Sequence, residues 1–102
     1  MTTIVVLFNL KSGTDAARYE QWARERDLPT VNGLASVDQF EVLRSAGLLM
    51  SDAEPPYAYI ELIRVNDMEK FGADVSSEAV QNVAAEFGEF ADNPLFILTE
   101  AL

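Results

Sequence analysis

PPYAYIELIRV, residues 55–65, decides how the rest of the chain is read. Taken every second residue from Tyr57, one face of an extended segment carries Tyr57, Tyr59 and Glu61, and the other carries Ala58, Ile60 and Leu62. The apolar parity finds a core in any layered fold. The Tyr–Glu parity needs cover of its own, and the neighbouring elements set what that cover is.

TIVVLFNL (3–10) is β-branched and apolar on both parities, the pattern of a strand buried on both faces, and PLFILTEAL (94–102) repeats it. KSGTD turns the chain at Gly13 and offers Thr14 or Asp15 as a helix cap. In DAARYEQWARERD (15–27), Ala16, Tyr19, Trp22 and Ala23 recur at helical spacing, opposite Arg18, Glu20, Arg24 and Glu25. Pro29 ends this helix. GLASVDQFEVLRSA (33–46) reads as a long strand, joined through the loop GLLMSDAEPP (47–56) to the tyrosine strand as an antiparallel hairpin. NDMEKFGADVSSEAVQNVAAEFGEFA (66–91) is helical, broken near Gly72 to Ser77, with Val80, Val83, Ala84 and Phe87 on one stripe.

The order β-α-β-β-α-β over one domain, residues 1–102, gives an α+β ferredoxin-like sandwich with both helices on one face of the sheet. Two helices cover one face only, yet the first and last strands are apolar on both. A second copy of the sheet is the simplest cover, producing a homodimer closed through the open sheet faces into a dimeric α/β barrel. Cover by the 47–56 loop or by higher assembly is the alternative. On the dimer reading, Tyr57, Tyr59 and Glu61 point into the barrel interior.

Composition narrows the chemistry. The 102 residues include no cysteine and no histidine, which removes disulfides, the usual zinc ligands, the common haem ligand and the commonest neutral-pH base. Seventeen acids against seven bases give a formal charge of −10, so nucleic acid and anionic membranes are poor partners. MTTIVVLFNL lacks a basic start and a cleavage site, and no apolar run approaches the roughly 18 residues of a membrane span; the expectation is a cytoplasmic protein. Neither a phosphate-binding loop nor a nucleophile elbow is present.

FNLKSGTDAARYEQWARERDLPTVNGLASVDQFEVLRSAG, PPYAYIEL and AEFGEFADNPLFILTEAL resemble the RedY-like or HapK-like family of the dimeric α/β-barrel superfamily, associated with prodigiosin-type tripyrrole pigment biosynthesis. The resemblance implies a small-molecule cavity between sheet and helices or inside the barrel. EthD-like relatives are similar too, with a Tyr/Trp-rich first helix ending in a histidine before a Pro-containing turn. Here that region reads WARERDLP, with Arg26 or Asp27 at the histidine's place, so histidine-dependent and His-ligated haem chemistry do not carry over. Resemblance to cofactor-independent oxygenases, described as holding an aromatic anion with Asn, Trp and Tyr, makes Asn9 and Trp22 the counterparts.

Glu61 is the candidate catalytic acid or base, read first as a proton acceptor and raised in pKa if it lies between tyrosines, with an ion pair to Arg44 or Arg64 as the structural alternative. Tyr59 and Tyr57 are read as orienting hydroxyls and stacking surfaces for a flat ligand, or as interface packing. Trp22 is a ligand contact or core, Asn9 a polar anchor or a turn cap, and Gln39 a residue of the cavity mouth or of a solvated edge. The expected function is that of a small-molecule-binding homodimer, as an enzyme a cofactor-independent oxygenase, isomerase or condensation helper for a flat aromatic or heteroaromatic intermediate of secondary metabolism. A non-catalytic carrier of a reactive intermediate, or a structural dimer without ligand, are the alternatives. No metal or other cofactor is expected.

Overall fold

The computed structural model describes all residues, Met1–Leu102. Strand β1 (Thr2–Leu10) leads through the KSGTD turn to helix α1 (Ala16–Trp22), whose N-cap Asp15 accepts a hydrogen bond from the Ala17 N–H at 3.0 Å. The helix then widens into a π turn (Ala23–Asp27) and continues as α2 (Leu28–Asn32). Strands β2 (Val37–Arg44) and β3 (Tyr59–Val65) form the hairpin. Helices α3 (Met68–Val75) and α4 (Glu78–Phe90) follow, separated at Ser76–Ser77, and β4 (Ala91–Glu100) closes the chain. Sheet order is β2-β3-β1-β4 with every neighbouring pair antiparallel, which is the expected ferredoxin-like topology.

Pro29 does not end the first helix. In the π turn the Leu28 N–H donates to the Ala23 carbonyl, five residues back, and Leu28 keeps helical angles (φ −57°, ψ −49°). The wider turn relieves the carbonyl that a proline ring crowds and needs no N–H from Pro29. The extension is held to the sheet by Asn32. Its Nδ2 donates to the Phe40 carbonyl at 3.1 Å while its Oδ1 accepts from the Phe40 N–H at 2.9 Å, as an edge-strand backbone would.

Strand β4 begins at Ala91, three residues earlier than Pro94. Leu7 pairs with Leu95 and Asn9 with Asp92, so Asn93 and Pro94 together oppose Phe8; Asn93 takes the bulge's left-handed conformation (φ 45°). Pro94 is tolerated because β4 is an edge strand.

One sheet face meets the helices. Ile4, Val6 and Phe8 of β1, Phe40 of β2, and Tyr59 and Val65 of β3 are buried there with Tyr19 and Ala23 of the first helix and Val80 and Val83 of α4. Phe8 anchors the layer, its ring 5.6 Å from Tyr59, 5.7 Å from Tyr19 and 5.0 Å from Phe87. The other face carries Val5, Leu7, Ile60 and Leu62, half-buried, beside the exposed Leu43, Leu95 and Ile97. It is an apolar patch of four strands.

The parity of β3 is therefore the reverse of the expectation. Tyr59 and Glu61 face the helices, and Ala58, Ile60 and Leu62 take the open face. The register explains this: Tyr59 pairs with Phe8 and Glu61 with Val6, so both share the face of the fully buried side chains of β1. Tyr57 lies before the strand, half-buried, and reaches neither layer as part of the ladder. Phe8→Ala is expected to destabilise the domain by about 3–5 kcal/mol in urea unfolding; a loss below about 1 kcal/mol would show that the aromatic layer is not its core.

Candidate functional site

The inner face of the first helix presents Tyr19, Ala23 and Asp27 toward the sheet, all buried. Opposite them stands Glu61, in the middle of β3 and flanked in register by Val6 on one neighbouring strand and Val42 on the other. Both acidic residues are 5% exposed. Neither side chain has a hydrogen bond or an ion pair, and Glu61 Oε2 is fully enclosed without a partner, as is Tyr19 Oη. An unpaired buried polar atom costs about 1–3 kcal/mol, so three polar groups converge at a place where packing alone asks for none.

The cations that would have neutralised them are elsewhere. Arg44, one expected partner of Glu61, donates from Nη1 to both oxygens of Glu20, at 2.7 and 2.9 Å. Arg64, the other, is exposed on the open-face parity. Arg26 is turned outward, donating to Glu86 at 3.0 and 2.7 Å, so Asp27, not Arg26, occupies the interior. Burial without a cation disfavours the charged form of both carboxyls. Desolvation pushes the Asp27 carboxyl up to about 7. Desolvation and the charge of Asp27 raise Glu61 well above the carboxylate range. Both carboxyls are thus shifted upward, and as neighbours in one buried site they titrate as a unit.

Tyr59 continues the site outward. Its hydroxyl donates to Glu20 Oε2 at 2.8 Å, its ring centroid is 4.8 Å from that of Tyr19, and its own pKa is pushed up to about 12 by burial and by that hydrogen bond. Glu20, held also by Arg44, falls below its ordinary value. Beneath this latch runs a cleft of about 210 Å³ walled by Tyr19, Ala23, Leu28, Val42 and Tyr59 together with the charged Glu20, Arg24 and Arg44. Arg44 and Tyr59 also border a wider cleft of about 740 Å³ under the 47–56 loop, where Tyr57 and Asn9 lie.

The remaining candidates separate. Asn9 donates from Nδ2 to the Pro56 carbonyl at 3.0 Å and accepts the Ala58 N–H at 2.9 Å, so it pins the segment entering β3 and does not cap the KSGTD turn. Trp22 packs on Phe90 and Phe87 and donates to Glu86 at 2.7 Å, joining α1 to α4 away from the carboxyl pair. Gln39 is exposed at the bulge of β2, opposite Arg64. The structure brings Glu61 and Tyr59 together with Asp27, Tyr19 and Glu20. In the sequence Tyr19 reads only as a helix-stripe residue, Glu20 as a surface charge and Asp27 as a departure from a histidine pattern.

An antiparallel βαββαβ layer with a buried acid pair between sheet and first helix defines a ferredoxin-like α+β protein with an interior carboxyl site. The profile described as REDY-like protein HapK matches residues 2–102. The chain belongs to that family. The crystal structure of HapK from Hahella chejuensis is similar at 30% identity, with a TM-score of 0.78 over 100% of this chain and 93% of that one. Two others share the fold. A mutant of SnoaB, a cofactor-independent oxygenase from Streptomyces nogalater, has 15% identity and a TM-score of 0.76 over 98% and 91% of the two chains. A dimeric ferredoxin-like protein from Thermobifida fusca has 12% identity and a TM-score of 0.74 over 98% and 90%. No curated protein matches the chain in sequence. No helix is long and apolar enough to cross a membrane.

The raised carboxyls give stability a sign with pH. From the ordinary value of Asp27, 3.8, up to about 7, the native state holds protons that the unfolded state has released, so stability falls as pH rises through this window. Glu20 and Glu86, lowered by their partners, act oppositely, and their contribution is lost only as pH falls below 4.5. Tm is therefore expected to peak near pH 4.5 and drop by several degrees toward pH 8, with Asp27→Asn removing the part of the drop that lies between pH 3.8 and about 7. A wild-type Tm that stays level or rises over that range would contradict the buried pair.

Proposed function

We propose that the protein is a homodimeric, cofactor-independent catalyst of proton transfer on a flat aromatic or heteroaromatic intermediate of secondary metabolism. The observation that carries this reading is the Asp27–Glu61 pair: two buried carboxyls without a cation bound to them, Glu61 paired in register with Val42 and Asp27 one helical turn from Ala23, both residues of the 210 Å³ cleft wall. A neutral Glu61 donates a proton to a ring carbon or carbonyl oxygen while an ionised Asp27 accepts one from an acidic C–H, N–H or O–H, the division of labour that two unequal carboxyls permit. Tyr59 lines the smaller cleft, and Tyr59 and Tyr57 together line the wider one under the 47–56 loop. The description of SnoaB as a cofactor-independent oxygenase supports chemistry of this kind on the fold.

The homodimer is supported by the apolar open face. Val5, Leu7, Ile60, Leu62, Leu95 and Ile97 form a contiguous surface that a lone soluble chain does not leave wet, and the Thermobifida fusca protein of this fold is described as dimeric. Two such faces packed together close a barrel and leave the carboxyl pair inside each subunit. Size exclusion with light scattering is expected to give a dimer that Leu62→Glu converts to monomer; a wild-type monomer at micromolar concentration contradicts the interface.

The catalytic reading is tested by screening planar ring N–H and O–H acids for quenching of Trp22 fluorescence, then following product by mass spectrometry. For a substrate found this way, Glu61→Gln is expected to keep binding and to lower turnover at least about 100-fold. Unchanged turnover removes Glu61 from the chemistry. Binding by the wild type with no product makes the protein a carrier instead.

A further inference from the structure

The chain carries seven basic residues against seventeen acids, and two of the seven border one cleft. Arg24 and Arg44 stand on the wall of the 210 Å³ cleft with a single acid, Glu20, among apolar and aromatic side chains. In a molecule of formal charge −10, this is a local excess of positive charge beside an apolar wall.

Two elements bring the cations together. Arg24 follows Glu20 by four residues, about one turn along the first helix, with the buried Tyr19 and Ala23 preceding them on the inner side. Arg44 continues the helix-facing row of β2 after Phe40 and Val42, at the strand's end and paired with Tyr59. Both guanidinium groups converge on one oxygen, Glu20 Oε1, which lies 3.4 Å from Arg24 Nη2 and 2.7 Å from Arg44 Nη1. The Tyr59 hydroxyl takes the other Glu20 oxygen at 2.8 Å. Arg24 donates to protein only through Nη2, and Arg44 only through Nη1. Nε and the second Nη of each arginine therefore face no protein acceptor.

One carboxylate does not neutralise two guanidinium groups, and the forked N–H pairs that remain match the two oxygens of a second carboxylate. We infer that this cleft receives an aromatic acid, its ring against Leu28, Val42 and Tyr59 and its carboxylate on the free N–H groups of Arg24 and Arg44, with the two arginines as the residues that set specificity for an anion. This names the charged end of the ligand, deepens the proposed ligand site and rests on that reading.

Calorimetric titration of the full-length protein with 2-naphthoate and its neutral analogue 2-naphthamide tests it. The carboxylate is expected to bind about tenfold more tightly than the amide, with the advantage shrinking as salt is raised. Arg24→Gln and Arg44→Gln combined are expected to abolish that preference with little change in Tm, because exposed ion pairs contribute little to stability. Lys70→Gln, which removes an exposed charge of α3 outside the cleft, is expected to leave the preference intact. Glu20→Gln removes the acid that competes for both arginines and is expected to tighten 2-naphthoate several-fold, a gain that a damaged fold does not mimic. The role of the arginines is overturned by equal binding of the two ligands in the wild type, by a preference that survives in the double variant or falls as far in Lys70→Gln, or by no gain in Glu20→Gln; each of these leaves the cleft as an apolar ligand site. Binding of neither ligand overturns this inference and the ligand site together.

Discussion

Two carboxyl groups are buried between one helix and one sheet with no cation to meet them, and much of the molecule follows from how that burden is met. An isolated ionised carboxylate in such surroundings is too costly to keep, so the group neutralises instead. Burial shifts both Asp27 and Glu61 toward the neutral form. The arginines that face the same helix are committed to other acids, Arg44 to Glu20 and Arg26 to Glu86. Those exposed pairs add little stability, but they keep guanidinium groups out of the interior. Two buried acids with no cation beside them point to use, because packing alone gives no reason to place them there.

The backbone that delivers Asp27 is as unusual as the side chain. A regular helix through residues 15–27 would stop before Pro29, and the chain would leave the sheet there. The π turn at Ala23–Asp27 lets the helix pass the proline and reach Asn32, whose amide then ties it to Phe40. Such single wide turns concentrate at functional sites because they reposition a side chain without ending the helix. On the sheet side, Glu61 is held by its register between Val6 and Val42. Both carboxyls are thus placed by regular elements, with neither on a mobile loop.

The element order, the antiparallel hairpin, the break between the later helices and the ferredoxin-like topology are legible in the sequence because each rests on local pattern: two-sided apolar strands, a capped amphipathic helix, a turn at Gly13. The orientation of β3 is not. PPYAYIEL alternates cleanly, but alternation does not say which parity meets the helices; Phe8 and Val6 across the ladder do, and that pairing is non-local. Polarity argues for the opposite assignment, since a glutamate rarely enters a core without a partner. With Glu61 assigned to the open face, Asp27 stands alone as the residue in a histidine's position, and the pair cannot be seen. Trp22 illustrates the reverse: a large aromatic on a helix stripe, it is a joint between helices, held by Glu86.

The open apolar face and the acid pair are separate features on opposite sides of the sheet, which makes the second testable without reference to the first. Carbon-13 NMR titration of the side-chain carboxyls in wild type, Asp27→Asn and Glu61→Gln measures the buried pair directly. Two carboxyl resonances are predicted to titrate above the ordinary carboxylate range in the wild type, and Asp27→Asn should lower the pKa of Glu61 by removing the charge beside it. A wild type in which every carboxyl titrates in the ordinary range, or in which Asp27→Asn leaves Glu61 unmoved, would contradict the account.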